Sequence, residues 1–496
     1  MSDDADRVQG IEVPPWRAAM PWRAATTPIF RRWPDRGIRP LMPGEESQGV
    51  AMAGAVGIVG GITLVFWLSD HVVYDTWGPM VVALFLIWVS AVVIRRTAAL
   101  SDDPLMVRLL TVALVLKLIS ALVRRWVGLD VYGGYADSGQ YHATGLQVAE
   151  NFRQGILSTR SLDLAGTDEG HNISIITGAV YAVLGRQEIV GFLAFAWFGF
   201  LGQILFFRAF LTGVENGNQR RYALLVFLLP SLLYWPSAIG KEAYMMLAIG
   251  LATLGVAHLL GPRPRARGVL YIALGALAIL QVRPHVAALV LGGIAVGAIA
   301  RRPGSLSVRQ TGPRVLLLIL LIPLLFLAIT RMNQFFGADD LNVDTVDTTF
   351  ERTRDQTTTG GSQFETSRVD SPLDLPAAVV SVLFRPFPWE IRNGTTLAAA
   401  LEGVLLLTLL IACHRSIASV PGQVLRNPYL AFVVGYSTLF IIAFANIGNI
   451  GILARQRTQL LPILLTLLAL QPLGSSSPDS LEDSNSDSAR IEHHTA

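Results

Sequence analysis

A run of about 20 mostly apolar residues is the length that crosses a hydrocarbon core, and this chain is built largely from such runs. In water they would leave more apolar surface than the remaining residues can cover. Of 496 residues, 52% are hydrophobic and only 15% are charged, and the mean hydropathy is +0.48. An ordinary soluble domain carries about 25% charged residues. This balance excludes a single soluble domain and, over most of the length, a disordered chain. Cys413 is the one cysteine, which excludes a disulfide scaffold.

The predicted fold class is all-α: a polytopic transmembrane helix bundle of about twelve spans. The spans fall near 51–68, 78–94, 106–123, 189–210, 222–237, 243–260, 268–282, 286–300, 315–330, 395–412, 428–446 and 458–471. Two shorter apolar stretches, 173–185 and 376–389, read as outer interfacial helices. Residues 1–50 form an Arg/Pro-rich segment without the apolar stretch of a cleavable signal. Residues 51–472 form the membrane domain, and the Ser/Asp/Glu-rich tail 473–496 reads as disordered.

The net charge is +3, and Lys117 and Lys241 are the only lysines, so nearly all basic charge is arginine. The arginines lie in small groups between apolar runs, which does not suit nucleic-acid binding. It suits a membrane topology. Arg95/Arg96, Arg220/Arg221, Arg263/Arg265/Arg267, Arg301/Arg302/Arg309/Arg314 and Arg415/Arg426 fall in alternate short loops, whereas the loop holding Asp70 and Asp75 has no arginine. The positive-inside rule then puts both termini in the cytoplasm. Two long loops, 124–172 and 331–394, lie outside.

In that topology the polar residues gather at the outer face. The first long loop holds Asp137, Tyr141 and His142. The fifth span ends in Trp235-Pro236-Ser237-Ala238-Ile239-Gly240-Lys241-Glu242. A short turn carries Arg283-Pro284-His285, the second long loop closes through Arg385, and the turn before the last span carries Arg455-Gln456-Arg457. Charges at membrane depth are costly and mark function by default. A carboxylate among several cations suits an anionic substrate with the carboxylate as base, and arginine suits phosphate through its bidentate fork. Phosphate at an outer membrane surface points to a polyprenyl-phosphate lipid.

Each element also has a plainer reading. Lys241 and Glu242 fit a helix-end anchor. Arg455 and Arg457 fit snorkelling to head groups, and Asp137 fits a solvated loop acid. An arginine in so short an outer turn as Arg283-Pro284-His285 is harder to explain this way. His142 and His285 lack metal-ligand spacing, so neither a metal nor another cofactor is expected. Lys117 and Glu402 fall inside spans, where they fit a cross-bundle pair or a polar pathway.

With these segments in hand, the chain resembles the GT-C superfamily of polytopic glycosyltransferases, which includes protein mannosyltransferases and lipid A aminoarabinose transferases. Asp137 with Tyr141 looks like the acidic residue and following tyrosine of that family's first large outer loop. Gly178–Gly185 with the next span, Pro230–Glu242, Arg283-Pro284 and Arg455–Pro462 are similar to its later motifs. The resemblance covers about 125–302 and, more loosely, 376–472. This chain departs from the family in having three spans before the acidic loop, Asp137-Ser138 in place of an Asp-Glu pair, and the long loop 331–394.

The resemblance implies an inverting sugar transfer at the outer face of a bacterial cytoplasmic membrane. The donor would be a polyprenyl-phosphate or polyprenyl-pyrophosphate sugar, and the acceptor a glycan, lipid or protein. Asp137 would be the catalytic base. Lys241, Arg283 or Arg455 would stabilise the leaving phosphate, and Tyr141, His142, Glu242, His285, Arg385 and Arg457 would line the substrate site. The alternatives are an O-antigen-type polysaccharide polymerase or ligase, for which Arg352, Arg354 and Arg368 of the second loop are suited, and a transporter or flippase. A transport site would lie near the midplane, and these charges gather at one face.

Overall fold

The computed structural model describes residues 63, 74–131, 133, 137–159, 168–215, 217–262, 265–300, 319, 321–332, 364, 369 and 371–472. The chain divides into two units, Met1–Val73 and Tyr74–Ala496, and the elements below belong to the second. The expected first span, both terminal segments, and Arg352, Arg354 and Arg368 of the long second loop lie outside the described residues, apart from Thr63 within that span.

The principal elements are all helices: α1 (Tyr74–Ala98), α2 (Met106–Trp126), α3 (Asp137–Arg153), α4 (Asp168–Leu184), α5 (Glu188–Gly213), α6 (Gln219–Leu228), α7 (Pro230–Tyr234), α8 (Lys241–Leu260), α9 (Arg267–Val282), α10 (Pro284–Ile299), α11 (Leu375–Phe384), α12 (Gly394–Ala412), α13 (Pro428–Phe444) and α14 (Ile450–Leu468). Five helices among the described residues are long and apolar enough to cross a membrane: Trp77–Ala98, Met106–Val131, Glu188–Gly213, Lys241–Leu260 and Gly394–Ala412. Shorter apolar helices include Arg267–Val282, Pro284–Ile299, Leu321–Met332 and Pro428–Phe444.

α5 and α8 form the centre. Their apolar residues are buried nearly all round, as expected of core helices. Gly202 and Gly250 let the two backbones meet: a Cβ built on Gly202 would lie 2.5 Å from the Met246 carbonyl, and one on Gly250 would lie 2.7 Å from the Gly202 carbonyl. Small residues serve this close approach in membrane bundles. α1, α2 and α12 instead present exposed apolar faces, among them Met80, Trp88, Val112, Leu401 and Ile411.

Two expected spans take a different form. The run 222–237 is not one helix. Leu229 is extended, with φ −62° and ψ 128°, and α7 starts at Pro230. A residue before proline is pushed out of the helical region, and hydropathy does not register that steric clash. The last span begins not near 458 but at Ile450, where the Asn449 side chain accepts from Gly451 N at 2.9 Å and Ile452 N at 3.2 Å. Arg455, Gln456 and Arg457 therefore sit inside α14 and not in a turn.

The break explains Lys117 and Glu402, which do not pair with each other. Lys117 Nζ donates to the Leu232 carbonyl at 2.6 Å, and Ser231 N donates to Glu402 Oε2 at 2.8 Å. Gln203 Nε2 donates to the Val226 carbonyl at 2.7 Å. Backbone groups released by a broken helix have no water to turn to within a membrane. Buried side chains from α2, α5 and α12 take water's place.

Candidate functional site

Four local structures bring four charged side chains together. Pro284 ends α9 and supplies the first residue of α10, leaving Arg283 between them at φ −144° and ψ 80°. Glu242 lies in the first turn of α8, after the 3₁₀ turn Trp235–Ser237. Asp137 opens α3, and Arg455 lies in the second turn of α14.

Glu242 is the hub. Its Oε1 receives Arg283 Nη2 at 3.2 Å and Arg455 Nε at 3.3 Å. Arg455 Nη2 reaches Asp137 Oδ2 at 2.9 Å. Arg283 Nη1 donates to Gln456 Oε1 at 2.8 Å, which also accepts from Gln459 Nε2 at 2.5 Å. Glu242 and Arg283 are both buried, whereas the Asp137 side chain is 57% exposed. The two acids thus differ in kind. Glu242 is locked between guanidiniums, and Asp137 stands at the open end of the chain, within reach of solvent.

A cavity of about 110 Å³ is lined by Asp137, Lys241, Glu242, Arg283, Ile452, Arg455 and Gln456. Three cations face two carboxylates there, so an anion entering finds net positive charge. The volume is below the roughly 300–1,000 Å³ of a whole-ligand pocket. It has room for a small charged group and not for a whole ligand.

Tyr141 is buried close to this chain, and its phenol is pushed up by burial and then by the Asp137 and Glu242 charges. It is therefore neutral at pH 7. His142 turns towards α4, where Nδ1 and the Tyr181 hydroxyl share a 2.7 Å hydrogen bond. Burial and then the Arg125 charge hold its imidazole below the usual range, so it is neutral at pH 7. His285 lies beside Phe444, with ring centroids 6.0 Å apart and the planes tilted by 50°, and feels the charges of Arg283 and Lys241.

The structure separates two of the expected arginines from the cavity lining. Residues two apart on a helix point about 200° apart, so Arg457 leaves the face that Arg455 uses. It is buried, and Nη1 donates to the Leu383 carbonyl at 2.6 Å. Arg385 pairs with Glu390 at 3.5 Å and lies 4.3 Å over the Phe364 ring. Both hold α11 and its following turn in place. Gln456 and Gln459 are the members that sequence reasoning missed. Their signal is weak: an amide beside Arg455, and a second one three residues further along the same helix. Among the described residues, no three His, Cys, Asp or Glu side chains gather as a metal site requires.

No protein-family model matches the chain, and no curated protein or solved structure matches it significantly.

Proposed function

We propose that this protein is a membrane glycosyltransferase. It moves a sugar from a polyprenyl-phosphate or polyprenyl-pyrophosphate donor to a glycan, lipid or protein acceptor at the outer face of a bacterial cytoplasmic membrane. One observation carries the reading: Asp137, Glu242, Arg283 and Arg455, from four segments far apart in sequence, form one continuous ion-pair chain around a cationic cavity.

In this reading the lipid phosphate sits against Arg283, Arg455 and Lys241. Asp137 takes the proton of the acceptor hydroxyl, and the oxygen attacks the anomeric carbon from the face opposite the phosphate. The bond between that carbon and the phosphate oxygen breaks, and the electron pair leaves on the phosphate. The guanidiniums stabilise that charge where it develops. Glu242 keeps both arginines in place throughout and exchanges no proton.

Transfer from a radiolabelled polyprenyl-phosphate sugar, measured in proteoliposomes, tests the reading. Asp137→Asn is expected to lose about 10²–10⁴ in rate, the usual worth of a general base. Near-normal transfer at normal protein level would sink the mechanism and favour the polymerase reading, in which no carboxylate is needed. In the same assay Arg283→Lys keeps the charge without the fork; it is expected to be partly active and Arg283→Ala much weaker. Equal, wild-type-like rates would remove Arg283 from the site.

The orientation belongs to the same proposal, with both termini and the 262–267 turn cytoplasmic, as the arginine distribution supports. Arg265→Cys in a Cys413→Ser background should resist an impermeant thiol reagent in intact cells and react after permeabilisation. Ready labelling of intact cells would reverse the orientation.

A further inference from the structure

α8 and α9 carry the cavity described above at one end, and at the other end they carry a second, larger one. Glu242 and His258 stand 16 residues apart on α8, about 24 Å along a helix axis. Arg283 and Arg267 stand the same 16 residues apart across α9. The second cavity has a volume of about 510 Å³, and Arg208, His258, Arg265 and Arg267 are among the residues lining it.

Its charges are arranged differently from those at Glu242. Among the described residues, none of the three guanidiniums has an ion-pair or hydrogen-bond partner for its side chain. Glu215, exposed at the rim, is the one carboxylate among the lining residues. Three cations thus face one carboxylate. Arg265 N donates to the His258 carbonyl at 2.6 Å, which ties the turn before α9 to the end of α8. His258 is only 4% exposed, and its Nδ1 has no hydrogen-bond partner. Buried polar atoms without partners are rare and call for an explanation.

The helix ends do not explain this. α5 and α8 finish here with their carbonyls, and such ends favour nearby cations. That accounts for an arginine at each end. It does not account for a cavity between them, or for a buried imidazole among its lining residues whose Nδ1 has no partner. The N-terminus of α9 opens at the same place and adds its positive end.

We propose that this cavity binds a phosphate group. Arg265 and Arg267 would engage it from the exposed side and Arg208 from the α5 side. His258 would meet it through Nε2, since Nδ1 is sealed from solvent, donating or accepting according to its tautomer. This site is separate from the proposed sugar-transfer centre and does not depend on it. Two sources carry the same chemistry: the phosphodiester of an anionic phospholipid in the adjoining leaflet, and a soluble phosphorylated metabolite.

The test uses the full chain in nanodiscs of phosphatidylcholine, with two probes: inorganic phosphate, and phosphatidylglycerol doped into the disc. Binding is read from the shift of the thermal midpoint with probe concentration. The wild type is expected to respond to at least one probe. The Arg265→Gln/Arg267→Gln variant should bind it at least about tenfold more weakly, as expected for lost charged hydrogen bonds. His258→Phe, which keeps a ring but no nitrogen, should also weaken it.

Arg95→Gln/Arg96→Gln removes the same charge from exposed positions on α1 and should bind like wild type. A response to phosphatidylglycerol alone assigns the site to a lipid head group; a response to inorganic phosphate assigns it to a soluble ligand. The proposal is overturned if the wild type responds to neither probe. It is also overturned if the Arg95/Arg96 variant loses as much as the Arg265/Arg267 variant, which would make the effect diffuse surface charge.

Discussion

The two ends of α8 hold charge in opposite ways. At the Glu242 end each guanidinium meets a carboxylate or an amide, and Glu242 and Arg283 are buried. At the His258 end Arg265 and Arg267 are exposed, and their side chains have no such partner among the described residues. Buried, paired charges are part of what fixes the helices, because separating them strands a charge away from water. Exposed, unpaired charges contribute little to folding and act when an anion arrives. The Glu242 end should therefore betray its charges through stability as well as through substrate, and the His258 end through binding alone.

Glu242→Ala is the severest way to break this contrast. It leaves Arg283 buried without its carboxylate and takes one of two acids from Arg455. Losing one partner of a buried pair costs about 3–5 kcal/mol. Thermal unfolding in neutral nanodiscs should show a large drop, and Glu242→Gln, which keeps an oxygen acceptor, a smaller one. An unchanged midpoint for Glu242→Ala would mean that Arg283 finds other partners and that the chain is not what holds α8, α9 and α14 together.

This asymmetry was only half legible in the sequence. Asp137, Lys241, Glu242, Arg283 and Arg455 stand out because charges beside apolar runs are conspicuous, and the structure gathers all five around one cavity. The role of Glu242 as hub was not legible: a glutamate beside a lysine at a helix start reads equally as a capping pair. Arg455 and Arg457 look equivalent in a linear string and separate only once the helix starts at Ile450.

Arg263, Arg265 and Arg267 fit the positive-inside rule, and nothing in a linear string separates that role from a binding role. Of the twelve spans that hydropathy predicts, five are helices long and apolar enough to cross a membrane among the described residues, since such a run depends on composition. Hydropathy misses the break at Pro230, because that depends on sterics at Leu229 and on side chains from three other helices.

His142 sharpens the comparison with a smaller effect. It lies beside the first cavity without lining it, and it is held neutral mainly by burial. The folded protein binds a proton there less readily than the unfolded chain does. Stability from this group is therefore intact above the unfolded pKa of about 6.5 and falls as the pH drops from there towards the depressed folded value. His142→Phe loses the hydrogen bond to Tyr181, worth about 1 kcal/mol, and also loses this acid sensitivity. Midpoints measured between pH 7.5 and 5 should start lower for the variant and then converge on wild type. A constant gap across that range would mean that His142 does not titrate below its ordinary range.

The smallest effect is expected where the charge is densest in arginine. Arg265→Gln/Arg267→Gln, in phosphatidylcholine and without phosphate, should change folding stability by no more than about 0.5 kcal/mol, the usual limit for surface positions. Neither side chain is buried, and neither has a partner to strand. What remains is mutual repulsion among cations lining one cavity, so the small change should favour the variant. Added salt should shrink that gain, because exposed charges are screened over about 10 Å at 0.1 M. Unfolding midpoints at low and high salt check both the sign and the screening. A loss approaching that of Glu242→Ala would erase the contrast between the two ends, since it would mean that these guanidiniums hold the fold as the buried ones do.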